Sequence, residues 1–240
     1  MNKLKFDPKY HKYTIGNILL KSVTTFLSQF KKPFDVEYWS AHVAKKRGIS
    51  KGEVKQEWKE KANKSSAMGT NVHKYAEDKA AIKQGKKITL PKPKDIKETR
   101  RMSAVDKFFD DHPHLKPVAA EEQLYNIEYR LAGTLDYRVV CDEGYYYLID
   151  WKTNKVIDTE NKYREKMLYP LEHLDNCHLM EYSLQLSLYK YMIEKSLGIK
   201  IKGMYLIHLQ AKGYKQYECE YMEDEIKLIL EIRKQEIKNM

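Results

Sequence analysis

The 240-residue sequence has few cysteines and no long apolar run. Its three cysteines, Cys141, Cys177 and Cys219, are far apart and odd in number, which argues against a disulfide framework and against a zinc or iron–sulfur site with cysteine ligands. An apolar run of about 18 residues, as a membrane-spanning helix requires, is absent, and the first residues lack the apolar block of a signal peptide. We therefore expect a protein of the cytoplasm, a reducing compartment, without membrane contact.

Positive charge is concentrated in the first half of the sequence. Residues 1–112 include 26 Lys or Arg and 13 Asp or Glu, whereas residues 113–240 include 18 and 21. The basic half suits a polyanion such as nucleic acid. A lysine-rich proteome would also place lysines at exposed helix positions, so the charge by itself does not decide between these explanations.

The pattern of apolar and turn residues divides the chain into two predicted segments, 1–112 and 113–240. The first predicts a β-hairpin and a basic helical lobe, and the second predicts a mixed central sheet flanked by helices, an α/β or α+β fold. Residues 155–176 predict a flap or a disordered loop. Predicted helices are 22–32, 35–47, 50–61, 66–84, 95–111, 177–197 and 222–238, and predicted strands are 4–6, 12–15, 18–21, 117–126, 130–141, 145–153, 203–210 and 214–221.

The stretch 130–154 carries the strongest candidate chemistry. It predicts an antiparallel hairpin with its turn at 142–144. Because side chains alternate along a strand, Asp150 and Lys152 share a face, and Asp136 of the first strand can lie beside them. Two carboxylates suit Mg²⁺ or Mn²⁺, and a nearby lysine suits an anionic transition state. The spacing alone fits ordinary strand-end charges equally well.

The predicted helix 66–84 adds a histidine to the candidate residues. Gly69, His73 and Glu77 follow one another at four-residue spacing, so they share one helical face. Because Gly69 has no side chain, that face can closely approach another backbone. A histidine on a helix is more often structural than functional, so this pattern alone is weak.

Further polar candidates lie on the strand 117–126 and on the long helix after the irregular stretch. The strand carries Glu121 and Glu122, and only one of them can share the face of the other carboxylates. The helix carries Gln185 and Tyr189 on one face, at four-residue spacing.

Aromatic residues are interleaved with lysines in the basic segment. They could stack on the bases of single-stranded nucleic acid, or they could be the apolar faces of amphipathic helices. The residues concerned are Phe26, Phe30, Phe34, Tyr38, Trp39 and Trp58.

Taken in order, these pieces resemble the RecB-like branch of the PD-(D/E)XK nucleases. The resemblance covers about residues 66–210, and the stretch 11–30 (HKYTIGNILLKSVTTFLSQF) is further similar to the single-domain phage and mitochondrial genome maintenance exonucleases. Relatives with an iron–sulfur cluster use four cysteines, so this sequence resembles the cluster-free members. The matching motifs are Gly69-Thr70-Asn71-Val72-His73, Ala132-Gly133-Thr134-Leu135-Asp136, Ile149-Asp150-Trp151-Lys152-Thr153 and Gln185-Leu186-Ser187-Leu188-Tyr189.

The resemblance implies a restriction-endonuclease-like core in residues 113–240 that binds one or two divalent metal ions. Asp136, Asp150, His73 and the backbone carbonyl of Trp151 would be the metal ligands. A histidine among carboxylates favours Mn²⁺ more than an all-oxygen site would, and Mg²⁺ also fits. No iron–sulfur cluster is expected.

The resemblance also implies catalytic roles. Lys152 would orient or deprotonate the attacking water, or stabilise the charge on the phosphorus centre, and the charge of the metal would favour its neutral form. The strand glutamate of the family falls on Glu121 by its spacing to Leu124, with Glu122 as the alternative. Gln185 and Tyr189 would position Lys152 and the nucleic-acid backbone.

The function implied is that of a metal-dependent deoxyribonuclease, an exonuclease on single-stranded or end-processed DNA in replication, recombination or repair. The basic segment would clamp the strand and deliver it to the metal centre. An alternative is a nuclease-fold subunit that binds DNA without cutting it, and a small-molecule metallohydrolase is a further alternative, disfavoured by the basic first half.

Overall fold

The computed structural model describes residues 4–7, 10 and 12–239. Residue 11, the first of the stretch 11–30, lies outside the described residues. The strands are β1 (Leu4–Asp7), β2 (Lys12–Ile15), β3 (Ile18–Ser22), β4 (Lys116–Asn126), β5 (Leu131–Val140), β6 (Tyr146–Lys152), β7 (Ile201–Gln210) and β8 (Gly213–Cys219). The α-helices are α1 (Val23–Leu27), α2 (Val36–Arg47), α3 (Lys51–Lys83), α4 (Ile96–Asp111), α5 (His178–Leu197) and α6 (Glu223–Lys238).

All eight strands belong to one mixed sheet in the order β1-β2-β3-β5-β6-β7-β8, with β4 paired to β5. Along β5, Leu131 and Ala132 pair in parallel with β3, whereas the residues from Tyr137 onward pair antiparallel with β6. Between these pairings the sheet divides at residues 133–136 of β5, which we call the fork. A mixed α/β structure with helices on the sheet confirms the predicted fold class.

Two hydrophobic cores cover the two faces of the sheet. On one face, α1, α5 and α6 pack over strand residues such as Leu148 and Leu206. On the other face, α4 and the C-terminal half of α3 pack over Trp151 and Ile207. The alternation of side chains along β6 therefore places Trp151 in one core and leaves its neighbours Asp150 and Lys152 on the opposite face.

The helix predicted at 50–61 and the helix predicted at 66–84 are one continuous helix, α3, so the predicted break at 62–65 is wrong. No glycine or proline interrupts residues 62–65, and the exposed polar side chains there cost little in a helix. The predicted capping box is present: the Glu53 amide donates to the Ser50 hydroxyl at 3.1 Å, and the Ser50 amide donates to the Glu53 carboxylate at 2.8 Å. Among the described residues no helix is long and apolar enough to cross a membrane.

The first three strands extend the same sheet that β5–β8 form. Phe26 and Phe30, also from the first predicted segment, are buried in the core together with α5. The division of the chain at 112/113 stays a prediction.

The irregular stretch 155–176 contains no helix or strand, only an isolated bridge between Lys166 and Asp175. It is nevertheless packed against the protein, because Ile157, Met167 and Leu171 are buried. This stretch therefore forms a fixed wall beside α5, where the sequence predicted a flap or a disordered loop.

Candidate active site

Three side chains from different elements meet beside the fork. His73 of α3, Glu121 of β4 and Asp136 of β5 each offer one potential ligand atom, and these atoms lie within 4.8 Å of one another. His73 Nδ1 is 3.4 Å from Asp136 Oδ2, and the Trp151 amide donates a 2.8 Å hydrogen bond to the same oxygen. Because the Trp151 amide bonds the Asp136 side chain, β6 fixes the orientation of that carboxylate.

The structure places Glu121, and not Glu122, beside Asp136. The pairs Ala120–Tyr137 and Glu122–Leu135 flank the position where Glu121 faces Asp136. Glu122 instead forms a two-pronged ion pair with Arg138, at 2.7 and 2.8 Å. The backbone of Glu121 has φ +48°, in the left-handed region that non-glycine residues seldom adopt.

Asp150 and Lys152 form an ion pair next to these three residues. Lys152 Nζ lies 2.5 Å from Asp150 Oδ2, and Asp150 is only 2% exposed. The ammonium group also lies 4.1 Å from the centre of the Tyr182 ring, a cation–π contact. Asp150 thus faces Lys152 and stands outside the group of three potential ligands, although the sequence predicted it as a ligand.

The carboxylates destabilise one another's charge in this site. Burial, followed by the charge of Asp136, raises the pKa of Glu121 to about 7. Burial raises the pKa of Asp150 to about 6, even though Lys152 opposes this. Burial lowers the pKa of His73, but the Asp136 carboxylate more than offsets this and the net pKa is about 9. A cation held among these groups would relieve the repulsion.

The donor set fits a divalent metal. An imidazole nitrogen and two carboxylates converge within 4.8 Å, a mixture that suits Mn²⁺ and also accepts Mg²⁺. Among the described residues, the buried Asp150 Oδ2 has the Lys152 ammonium as its one ion-pair partner. The Trp151 carbonyl stays a predicted ligand.

Gln185 and Tyr189 lie on α5, and the Gln185 amide donates a 3.4 Å hydrogen bond to the Tyr189 hydroxyl. Among the described residues no hydrogen bond joins either side chain to Lys152, so their positioning role stays a prediction. The residue in contact with Lys152 is Tyr182, one turn earlier on α5, which the sequence motifs did not single out. No sequence signal identifies it, because the contact depends on how α5 packs across the end of β6.

Tyr182 is itself held by a chain of hydrogen bonds. The Asn154 amide donates to the Tyr182 hydroxyl at 2.9 Å. The buried His208 donates from Nε2 to the Asn154 carbonyl at 2.7 Å, and the Gln210 amide donates to His208 Nδ1 at 3.1 Å. Because a carbonyl oxygen can only accept, His208 Nε2 carries a proton in this arrangement.

Gly69 and Gly133 allow close approaches around the site. A Cβ atom at Gly69 would lie 3.3 Å from the Thr153 hydroxyl, so α3 can pass close to the end of β6. A Cβ atom at Gly133 would lie 2.6 Å from the Tyr189 hydroxyl. The close approach predicted at Gly69 is thus to a side chain and not to backbone.

The substitution Gly133→Ala is expected to lower the free energy of unfolding by about 1–3 kcal/mol, because overpacking must displace the buried Tyr189 ring. Denaturation in urea, followed by circular dichroism, measures this. Gly52→Ala is the matched control, since its added Cβ would meet nothing closer than 3.8 Å, and it should not reduce stability. Unchanged stability of the Gly133 variant would show that Tyr189 moves aside freely.

Comparison with known proteins gives one family match. The sequence model of the PD-(D/E)XK nuclease superfamily matches residues 41–240. A solved structure titled "Crystal structure of SSO0001" is similar with 13% sequence identity and a TM-score of 0.30. The similarity covers 59% of this chain and 58% of that protein, so the chain spans less than two thirds of its length. No curated protein matches the sequence.

Proposed function

The chain belongs to the PD-(D/E)XK nuclease superfamily, and from this premise we propose that it is a metal-dependent deoxyribonuclease of the RecB-like branch, an exonuclease on single-stranded or end-processed DNA. The superfamily uses divalent metal ions, here Mg²⁺ or Mn²⁺. The observation that carries the proposal is the convergence of His73, Glu121 and Asp136 within 4.8 Å, next to the Asp150–Lys152 pair.

In the proposed mechanism, His73, Glu121 and Asp136 would hold the metal, and Asp150 and the Trp151 carbonyl would be further ligands. When bound, the metal supplies Lewis acidity and a nucleophilic hydroxide. The Trp151 amide keeps Asp136 oriented through its 2.8 Å hydrogen bond. His73, whose pKa Asp136 raises, must give up its proton to bind the metal, so the carboxylates also set the pH at which the site fills.

Lys152 is the group proposed to act on the scissile phosphate. Burial lowers its pKa, but Asp150 and Asp136 more than offset this, and the net shift is upward. The side chain is therefore an ammonium group beside the carboxylates. As a cation it can stabilise the negative charge that develops on the phosphate. A role as general base requires that bound metal lower its pKa.

Removal of the Tyr182 ring is expected to reduce turnover. Tyr182→Leu should lower kcat for DNA hydrolysis about 5- to 30-fold, because Lys152 loses the ring that positions its ammonium group. This factor corresponds to the free energy of a desolvated cation–π contact. KM should change little. Tyr182→Phe, which keeps the ring and loses only the bond from Asn154, should retain most of the turnover. Equal activity of the two variants would contradict a positioning role for the ring.

The proposed function is tested by cleavage of end-labelled DNA. Single- and double-stranded substrates, linear and circular, are incubated with Mg²⁺, Mn²⁺ or EDTA. Metal-dependent loss of linear DNA with survival of circles is expected, and cut circles would make the protein an endonuclease. If no metal supports cleavage but the protein binds DNA in a salt-sensitive way, the proposal of an enzyme is overturned. The protein would then be a non-cleaving DNA-binding subunit.

A further inference from the structure

The helix α2 and the first half of α3 form a pair that projects from the rest of the protein. We call residues 36–66 the projecting hairpin. In α2 only Ser40 and Ala44 are buried, and between residues 51 and 66 of α3 only Val54 is buried. Helices that bury so little gain little stability from packing. Such a surface is expected to contact another molecule.

Exposed aromatic rings gather at the base of this hairpin. Phe34 and Trp39 lie nearly parallel, with ring centroids 6.4 Å apart and an interplanar angle of 7°. Tyr38 and Trp58 contact the same pair, at 5.3 Å from Trp39 and 5.8 Å from Phe34. Phe34, Tyr38 and Trp39 are 62%, 61% and 40% exposed. We call these four residues the aromatic cluster.

Three successive openings lie between the aromatic cluster and the metal centre, and we call them together the groove. A cavity of about 810 Å³ lies between Phe34, Tyr38 and Trp39 of the cluster and the residues from Asp158 to His178. His178 also lines the next opening, with Ser66 of α3. One turn further along α3, Gly69 and His73 line the opening at Glu121 and Asp136. From Ser65 onward the groove therefore follows α3 as far as the metal centre.

The length of this groove matches a short single strand. Trp58 and His73 are 15 positions apart on one helix, about 22 Å at a rise of about 1.5 Å per residue. At about 3.4 Å per nucleotide, this distance corresponds to about six stacked nucleotides.

The charges of the projecting hairpin suit a polyanion. Five lysines of the projecting hairpin form no ion pair with described residues, and they are Lys45, Lys46, Lys59, Lys61 and Lys64. On the groove wall, Glu181 and Glu165 are ion-paired with Lys31 (2.8 Å) and Lys32 (3.2 Å). His178 Nδ1 lies 3.0 Å from Asp158, and Asp35 and Glu160 also line the cavity. Unpaired ammonium groups are available to phosphates of a bound strand.

We infer that the aromatic cluster stacks on the unpaired bases of single-stranded DNA, and that the groove guides this strand along α3 to the metal centre. The inference rests on the proposed function and specifies its substrate. Stacking needs bases whose faces are free, so a single strand fits and an intact duplex does not. The aromatic residues of the basic segment thus fall into two groups. Phe26 and Phe30 belong to the core, and the aromatic cluster is the group that would contact DNA.

Binding without cleavage tests the inference. The full chain is titrated in EDTA with an oligodeoxythymidine of about 15 nucleotides, followed by anisotropy and by tryptophan fluorescence. Trp151 is 2% exposed and is one of three tryptophans, so quenching reports on Trp39 and Trp58. Trp39→Ala is expected to weaken binding about 5- to 150-fold, the effect of losing one stacked base.

Three controls make the result specific. Trp39→Phe should restore most of the affinity, because it keeps an aromatic face. Tyr145→Ala removes an aromatic side chain that is 49% exposed at the far end of the β5–β6 hairpin, and it should not change binding. With Mn²⁺ present, cleavage of strands much shorter than about six nucleotides should be equal in wild type and Trp39→Ala, because such strands cannot span from the cluster to the metal centre.

Hydrolysis of the p-nitrophenyl ester of thymidine 5′-phosphate separates this inference from the proposed function, because so small a substrate occupies only the metal centre. Trp39→Ala should hydrolyse it like wild type while binding the long strand poorly. If wild type cleaves neither substrate but Trp39 still governs binding, the proposed function fails and the inference stands. If wild type cleaves DNA and Trp39→Ala binds the strand as tightly as wild type, the inference is overturned.

Discussion

Asp136→Asn is expected to abolish metal-dependent DNA cleavage, lowering kcat/KM on the order of 10³-fold or more. Asp136 contacts the other groups of the site. It faces Glu121 across the strands, lies 3.4 Å from His73 and accepts a hydrogen bond from the Trp151 amide. Asparagine can still accept that hydrogen bond through its amide oxygen, so the fold should survive. The change removes the charge that attracts the metal and that holds the pKa of His73 high.

Calorimetric titration with Mn²⁺ measures the loss of metal binding, and cleavage of labelled DNA measures the resulting loss of activity. Asp142→Asn is the matched control, because Asp142 is an exposed carboxylate in the turn after β5 whose ion pair with Lys116 lies on the surface. That variant should bind Mn²⁺ and cleave DNA like wild type. Wild-type affinity for Mn²⁺ in the Asp136 variant would show that the metal binds elsewhere.

Lys152→Met is expected to lower kcat about 10²- to 10⁴-fold without loss of metal binding, since it removes the cation proposed to act at the phosphate. It also leaves the Asp150 carboxylate buried without its partner. Breaking such a buried pair costs about 3–5 kcal/mol of stability. A bound divalent ion would offset part of that cost, so Mn²⁺ should raise the melting temperature more in this variant than in wild type.

Thermal unfolding with and without Mn²⁺, run beside the cleavage assay, reports both effects. Lys200→Met is the control: it removes an exposed lysine just before β7, at the end of β6 opposite to Lys152, that forms no ion pair with described residues. It should leave kcat and the response to Mn²⁺ unchanged. Activity of Lys152→Met within about threefold of wild type would exclude Lys152 from the chemical step.

The sequence predicted the central hairpin well because two-residue alternation is a local property. Asp150 and Lys152 share a face for that reason alone, and pairing of Tyr137 with Ile149 brings Asp136 next to them. The choice between Glu121 and Glu122 depends on register between strands. A bulge between Pro117 and Ala119 shifts that register by one residue, and without it Ala120 would face Asp136.

Two other features depend on contacts between distant residues. Tyr182 reaches Lys152 only because α5 packs across the end of β6, and no spacing within α5 shows this. The irregular stretch 155–176 has the composition of a mobile loop, yet scattered apolar residues such as Ile157 and Leu171 anchor it. Composition averaged over the stretch does not show which single residues will be buried.

At Glu121, the left-handed backbone conformation favours glycine for stability, whereas the metal site requires the carboxylate. A non-glycine residue in that region costs about 1–3 kcal/mol, which the pairing of β4 with β5 must sustain. Glycine would relieve the strain and remove the carboxylate. Selection for heat resistance alone would therefore change this residue, whereas selection for nuclease activity would keep it, and a thermostable variant obtained without an activity screen is expected to lose function here first.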